Sequence, residues 1–337
     1  MNENIRSGNW SKATISEYES CNRLLLRFLG DTPVNHIDYE AGRQYKTLLT
    51  MLPMRFLATK KYDNMTMEDV IKLDAPKKIS TSTVNKQLTF ATGVFNYAHH
   101  NHYMDINPIE NMHIKQRKKP NELVAPFDNN DLIKIFHSDR YMKDKHYHNF
   151  MHWMPILGLF TGARIGELAQ IKTSNLKHTE DGIWYLDIEG ELKSDYAERK
   201  VPLHPYIIED LKFPEYVKRV KAQGHEKLFW MLKPTKGRWG HTVTNWFTRY
   251  KENIGLTNDD KGRRKSFHSF RHTFTTYMKH EGVSETMIKE VIGHSVNDIT
   301  MGRYGDKYPV KKLYEEVILK FTPGIDLDHL KSSKYSG

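Results

Sequence analysis

The chain has 337 residues and one cysteine, Cys21. A single thiol excludes a disulfide framework and fits a reducing compartment. In its apolar helical setting Cys21 reads as packing. The chain also lacks a long hydrophobic run. Its most apolar long stretch, FMHWMPILGLFTGA at residues 150–163, is too short to cross a bilayer and carries His and Pro, so it reads as a buried helix. The first 20 residues are polar and hold no secretory leader. No internal repeat or low-complexity segment is present. Acid is in short supply: 41 Asp and Glu face 51 Lys and Arg, for a net charge of +10 and a pI near 9.3. A soluble, intracellular protein is expected, with a basic excess that favours a polyanion and nucleic acid first. A basic but otherwise ordinary enzyme is the alternative.

What is present divides into two parts, each large enough to bury a core. Residues 11–110 carry helical patterns and no alternation of the kind that marks a strand. TISEYESCNRLLLRFLGD follows a Thr or Ser cap, places Tyr18, Leu24, Leu25 and Phe28 roughly on one face, and stops at Gly30. DYEAGRQYKTLLTMLP ends at Pro53. STSTVNKQLTFATGVFNYAHHNHYM has Leu88, Val94, Phe95 and Ala98 at helical spacing, and NPIENM closes the part. The expected first domain is 1–112. HIKQRKKPNELVAPF is basic, contains Pro and has no periodicity, so residues 113–125 are expected to be a linker. Its Lys115, Arg117, Lys118 and Lys119 are candidates for a phosphate backbone, as are Arg263 and Arg264 in the second basic loop, DDKGRRKS.

The expected second domain is 126–337. DNNDLIKIFHS starts a helix on an Asp or Asn cap. MHWMPILGLFTGARIGELAQI reads as helix, Gly turn and helix. GIWYLDIEGELKSDYAERKVPLHP is the one clear β segment, a hairpin whose Pro202 suggests an edge strand. Residues 205–255 read as helical, and helices continue to about residue 320, followed by a polar tail. In sum, the pattern is mostly α with a small antiparallel sheet.

Three stretches could carry chemistry. In KSFHSFRHTFTTYMKH, Ser266 can cap and Phe270, Phe274 and Met278 form a buried stripe, leaving His268, Arg271, His272 and Thr275 on another face. Histidines and an arginine together suit an anion, phosphate above all. A metal at His268 and His272 is the weaker alternative, because the Glu of H-E-x-x-H is absent and no third ligand is near. A solvated helix face is the default. In TGARIGELAQI, Arg164 stands at a helix start, against the macrodipole, beside backbone N–H groups that can receive phosphate. Glu167 could hold it, or the two could be a surface pair of little consequence. In ELKSDYAERKVPL, Lys193 on a polar turn is either simply solvated or a mobile proton donor.

Their order is more specific than any one of them. Arg164, Lys193, His268-x-x-Arg271, Gly293-His294 and Tyr304 follow one another over a single domain. That series resembles the tyrosine recombinases, or phage-type integrases. TGARIGELAQI is similar to the family's first-arginine motif, HSFRHTF to its His-x-x-Arg-His box, and VIGHSVNDITMGRYGD to its Leu-Gly-His … Tyr box. The resemblance spans residues 11 to about 320. The gap from His294 to Tyr304 is one residue longer than the family's commonest spacing. Lys193 is assigned from its place in the hairpin, with Lys200 as the fallback. Only about ten residues precede the first predicted helix, too few for the arm-site-binding domain of many family members.

The resemblance implies an all-helical core-binding (SAM-like) domain ahead of an α+β catalytic domain. It implies a site-specific recombinase that integrates or excises a mobile element, with Tyr304 as nucleophile. Arg164, Arg271 and His294 would hold the phosphate, Lys193 would protonate the leaving oxygen, and His268 would act as base or hydrogen-bond partner. Glu167 and His272 would support them. No metal, ATP or other cofactor is expected. The implied partners are double-stranded DNA attachment sites, three further copies of the chain in a tetramer on DNA (a monomer when free) and DNA-bending accessory proteins, with no membrane, in a prokaryotic nucleoid. A type IB topoisomerase-like relaxase, which shares this chemistry, ranks lower because its core is usually larger. A non-catalytic DNA-binding regulator would lack an Arg or the Tyr. A metal-dependent nuclease would need clustered Asp and Glu.

Overall fold

The computed structural model describes residues 5–8, 10–115, 124–189, 198–294 and 307–337. The chain forms two compact units, residues 1–119 and 120–337. The first is helical, with no strand among its described residues. Helix α1, Lys12–Leu29, starts where the Ser11 side chain accepts the Thr14 N–H and ends at Gly30, whose φ of 61° suits a residue without Cβ. Helix α2, Tyr39–Met51, is capped by Asp38. Helix α3, Met67–Lys72, is a short element that the sequence pattern did not announce. Helix α4, Thr81–His100, is capped by Ser80. Leu24, Leu25, Tyr45, Leu49, Leu88, Ala91 and Phe95 build one core. The Val94 side chain is only half-buried.

The second unit begins with α5, Asn129–Phe136, where Asp128 and Asp131 form a reciprocal capping box. Asp131 also meets the Lys265 ammonium at 2.6 Å, with both side chains less than a tenth exposed. After α6, Asp139–Met142, comes α7, Asn149–Thr161, which is buried on nearly every face. An apolar helix without a polar face belongs inside the domain. Pro155 has no N–H to donate to the Met151 carbonyl one turn back. The Tyr141 hydroxyl meets that carbonyl at 3.2 Å and the His152 carbonyl at 3.0 Å. Gly162 ends α7 at a φ of 61°, where a Cβ would stand 3.0 Å from the Phe274 ring. Helix α8, Ile165–Ala169, follows at once.

The sheet has three antiparallel strands rather than a lone hairpin: β1, Leu176–His178, β2, Trp184–Ile188, and β3, Arg199–Pro202, in that order. Strand β3 is an edge, as Pro202 implied. A π-type turn, Tyr206–Asp210, and helices α9, Phe213–Ala222, and α10, His241–Asn253, occupy the region read as continuous helix; the stretch between α9 and α10 is turn and loop. Helix α11, His268–His280, buries Phe270, Phe274 and Met278 completely against α7. Such burial is worth about 1.5–3 kcal/mol per side chain. Ser266 is not its cap; instead its N–H donates to the Ser269 hydroxyl at 3.0 Å. Helices α12, Glu285–Ile292, and α13, Val310–Glu316, complete the unit.

The chain beyond residue 320 is less free than its polarity suggests. Leu313, Val317, Ile318 and Phe321 are buried in their own unit's core. Leu327 and Leu330 join the same core, and residues Asp328–Ser332 form a 3-10 turn. Polar spacing hid this docking because only every third or fourth residue is apolar.

The Asp131–Lys265 pair yields a test. Asp131→Ala removes the capping partner and leaves a buried ammonium unpaired, and it should lower unfolding free energy by about 3–5 kcal/mol. Chemical denaturation measures it; a loss below about 1 kcal/mol would show the pair to be no stronger than an exposed one.

Candidate active site

Helix α7 ends at Gly162 because that backbone turns left-handed, and this places Arg164 at the first turn of α8. The Arg164 N–H donates to Glu167 Oε2 at 2.9 Å, and its guanidinium donates to Glu167 Oε1 at 2.7 Å. The second guanidinium nitrogen donates to the Gly293 carbonyl at 2.8 Å. Glu167 therefore holds the backbone and side chain of Arg164 together. The carboxylate is buried, with 6 % exposure. Burial alone would raise its pKa, but Arg199 and then Arg164 outweigh that and hold it below the usual range.

Arg199, at the start of β3, is the residue that sequence reasoning missed. Its side chain is 1 % exposed and donates to Glu167 Oε2 at 2.8 Å and to the Val291 carbonyl at 2.7 Å. A signal existed: an arginine beside apolar strand positions in a hairpin. It was masked by the neighbouring Lys200 and Glu198. Lys200, the fallback for the catalytic lysine, does not join this cluster. Successive strand residues face opposite sides, and Lys200 instead lies over the Tyr185 ring, 5.4 Å from its centroid.

Arg271 enters from α11. One guanidinium nitrogen donates to the Gly162 carbonyl at 3.0 Å and also to the Ile292 carbonyl. Its other terminal nitrogen is buried without any hydrogen-bond partner. Burial, then Arg164 and Arg199, push its pKa down to about 9. The side chain is thus a cation at neutral pH, crowded by two like charges, with a donor to spare. An oxyanion would relieve both conditions. Gly293 completes the frame. With φ at 67° its missing Cβ leaves room for Arg199, whose guanidinium would otherwise stand 2.6 Å away.

Three imidazoles border the arginines. His268 and His272 stand one turn apart with ring centroids 4.9 Å apart. Desolvation, with His272 and Arg271 adding to it, lowers His268 to about 4, although the residue keeps an exposed edge. His272 and His294 are lowered by burial and then by Arg271. All three are neutral at pH 7. His294 follows directly on Gly293 and is exposed overall, with its ring only partly covered.

Lys193 and Tyr304 lie outside the described residues, as do Arg117, Lys118 and Lys119. Residue 198, which follows the Lys193 stretch, and residue 307, which follows the Tyr304 stretch, are in direct contact: Lys307 Nζ donates to the Glu198 carbonyl at 2.6 Å. Lys115 and Arg264 are exposed. Arg263 donates from Nε to Asp259 at 2.7 Å and stays partly exposed.

Residues 125–310, more than half of the chain, match the Phage integrase family. A curated tyrosine recombinase of Thermosipho africanus is 24% identical over 216 residues, covering 64% of this chain and 68% of that protein. The fold is also similar to that of a lambda integrase solved as a dimer on a COC′ core site, with a TM-score of 0.55 and 17% identity over 91% of this chain and 96% of that one. A lambda integrase tetramer bound to a Holliday junction gives a TM-score of 0.56 and 16% identity over 91% and 77%. The chain belongs to the phage integrase family. As a tyrosine recombinase it is a site-specific recombinase, an enzyme that breaks and rejoins DNA strands. The mostly α fold with its small antiparallel sheet agrees with the expectation from sequence. No helix among the described residues is long and apolar enough to cross a membrane.

The histidine shift has a pH signature. A histidine whose folded pKa is depressed contributes stability that is fully present above its ordinary value of about 6.5 and is lost as pH falls toward 4. His268→Asn cannot take up that proton. The stability difference between the two proteins should therefore shift by on the order of 1 kcal/mol between pH 7 and pH 4.5, after allowance for solvent screening of the exposed ring edge. Paired urea titrations read it, and parallel pH curves would contradict it.

Proposed function

We propose that the arginine cluster receives the scissile phosphate of a DNA attachment site and that Tyr304 attacks it. The observation that carries this reading is the buried Arg271 nitrogen without a partner, beside an Arg164 already fixed by Glu167. Guanidinium groups stay charged and donate in pairs to phosphate oxygens. Arg164 and Arg271 clamp the non-bridging oxygens and neutralise the charge that builds on the phosphorane. The bond from the Tyr304 oxygen to phosphorus forms as the bond to the 5′ oxygen breaks, which leaves a 3′-phosphotyrosyl link. Lys193 gives a proton to the departing oxygen. The Tyr304 proton passes to neutral His268, whose affinity for it rises once the phosphate offsets Arg164 and Arg271. His294 donates to the phosphate, and His272 supports His268.

Resealing reverses these steps with a 5′-hydroxyl from another strand. The covalent link conserves the phosphodiester, so no ATP or other cofactor enters. Repeated at paired sites, the exchange passes through a Holliday junction. The lambda integrase tetramer on such a junction supports an assembly of four copies on two duplexes, with free monomers before it forms. Lys115, Arg117, Lys118, Lys119 and Arg264 contact backbone phosphates outside the cleavage point, and accessory proteins bend the DNA. The reaction inserts or removes a mobile element in a prokaryotic nucleoid, with residues 1–112 and 126–337 as the core-binding and catalytic domains joined by the linker 113–125.

A nicked attachment-site substrate tests this. In EDTA the wild-type protein should form a covalent protein–DNA adduct, and Tyr304→Phe should form none. Arg164→Ala and Arg271→Ala should bind DNA yet cleave about 100-fold or more slowly, the loss typical of one missing oxyanion donor. Adduct in Tyr304→Phe, or wild-type cleavage in either Arg variant, would overturn the assignment.

A further inference from the structure

A second cluster lies at the other end of α7. Asp144, His146 and His152 each offer a ligand atom, and these atoms all lie within 4.8 Å of one another. His146 is 3 % exposed and His152 is 0 % exposed. Both ring nitrogens of His146 and Nε2 of His152 are buried without a hydrogen-bond partner. Three orphaned nitrogens in one place are unusual, because a buried polar atom normally finds a partner.

Aromatic packing accounts for the ring planes. The His146 and His152 centroids are 5.2 Å apart at near-perpendicular tilt, and Tyr141 and Tyr335 flank them. Packing does not account for the nitrogens. Tyr141 has no proton to offer them, since its hydroxyl donates to the Met151 and His152 carbonyls. The Asp144 carboxylate accepts the Ser333 hydroxyl at 2.8 Å and the Lys334 N–H at 2.9 Å, which leaves it lone pairs for a further contact. Ser333 also reaches His152 Nδ1 at 3.4 Å, which keeps that ring's Nε2 as the open atom.

We propose that Asp144, His146 and His152 bind one zinc-class divalent ion. Two imidazoles and a carboxylate are a donor set that suits first-row ions and zinc first. Ligands of a tetrahedral ion at about 2.0–2.2 Å stand roughly 3.3 Å apart, so ligand atoms now within 4.8 Å of one another need to close by up to about 1.5 Å. The site is separate from the arginine cluster: eight residues of α7 lie between His152 and Thr161, which puts the two about 14 Å apart along the helix. The ion's role is to fasten. Asp144 and His152 both touch the C-terminal segment through Ser333, so an ion there ties residues 328–337 to α7, the helix whose end sets Arg164.

The test uses untagged full-length protein, stripped by a chelator and titrated with Zn2+ and with Co2+. One equivalent should bind. Cobalt should give visible absorption that zinc abolishes, and the melting temperature should rise with zinc concentration. His146→Phe keeps the aromatic packing and removes two orphaned nitrogens; it should fold and lose the equivalent. Asp144→Asn, at a partly exposed position, should weaken binding at least tenfold. Absence of stoichiometric zinc in the wild type would overturn the proposal. So would an equivalent retained by His146→Phe, or one that disappears in His272→Ala and so belongs to the α11 histidines. If His146→Phe fails to fold, unchanged zinc affinity in Asp144→Asn overturns it alone.

Discussion

Everything at the arginine cluster depends on one buried carboxylate. Glu167 accepts Arg164 on one oxygen and Arg199 on the other, and the second oxygen also accepts the Arg164 backbone N–H. Without that anion, two guanidiniums would be brought together with nothing to offset their repulsion. Breaking such a buried pair typically costs about 3–5 kcal/mol, most of it from the charge left behind. Glu167 thus does more than orient a neighbour. It makes a dense patch of positive charge compatible with a folded core.

The remaining counter-charge is main-chain. Val291, Ile292 and Gly293 end α12, and their carbonyls receive Arg199, Arg271 and Arg164 in turn. The C-terminal end of a helix has unpaired carbonyls and a partial negative charge, so it is suited to cations. This fixes three guanidiniums by groups that bring no full negative charge into the site. The cluster stays electropositive, and Arg271 keeps one nitrogen uncommitted. The chain continues from this helix end directly to His294 and on to the Tyr304 stretch, so the element that holds the arginines also leads to the proposed nucleophile.

Local signals made much of this legible. Ser11, Asp38, Ser80 and Asp128 cap helices as their residue types imply, Gly30 and Gly162 end helices, and the Phe270, Phe274, Met278 stripe is buried. The first-arginine and His-x-x-Arg motifs pointed to residues that the fold brings together across more than 100 positions. What escaped depends on partners far away in the chain. Arg199 reads as one more charge in a polar hairpin until Glu167 and Val291 surround it. Lys265 and Asp131 look solvated until 134 residues of separation close. The C-terminal segment looks free because its few apolar residues are spaced for a surface it had not yet met. Strand β1 is three residues long, too short for alternation to mark it.

The role proposed for Arg271 is to neutralise a phosphate oxygen rather than to brace the fold. The most direct measurement compares single-turnover cleavage by wild type and Arg271→Ala on two substrates, one with the natural scissile phosphate and one with a neutral methylphosphonate in its place. Removing the negative oxygen removes the charge that Arg271 is there to meet. A large deficit is expected for Arg271→Ala on the phosphodiester and a deficit at least tenfold smaller on the methylphosphonate. Equal deficits on both substrates would contradict it and make Arg271 a structural residue.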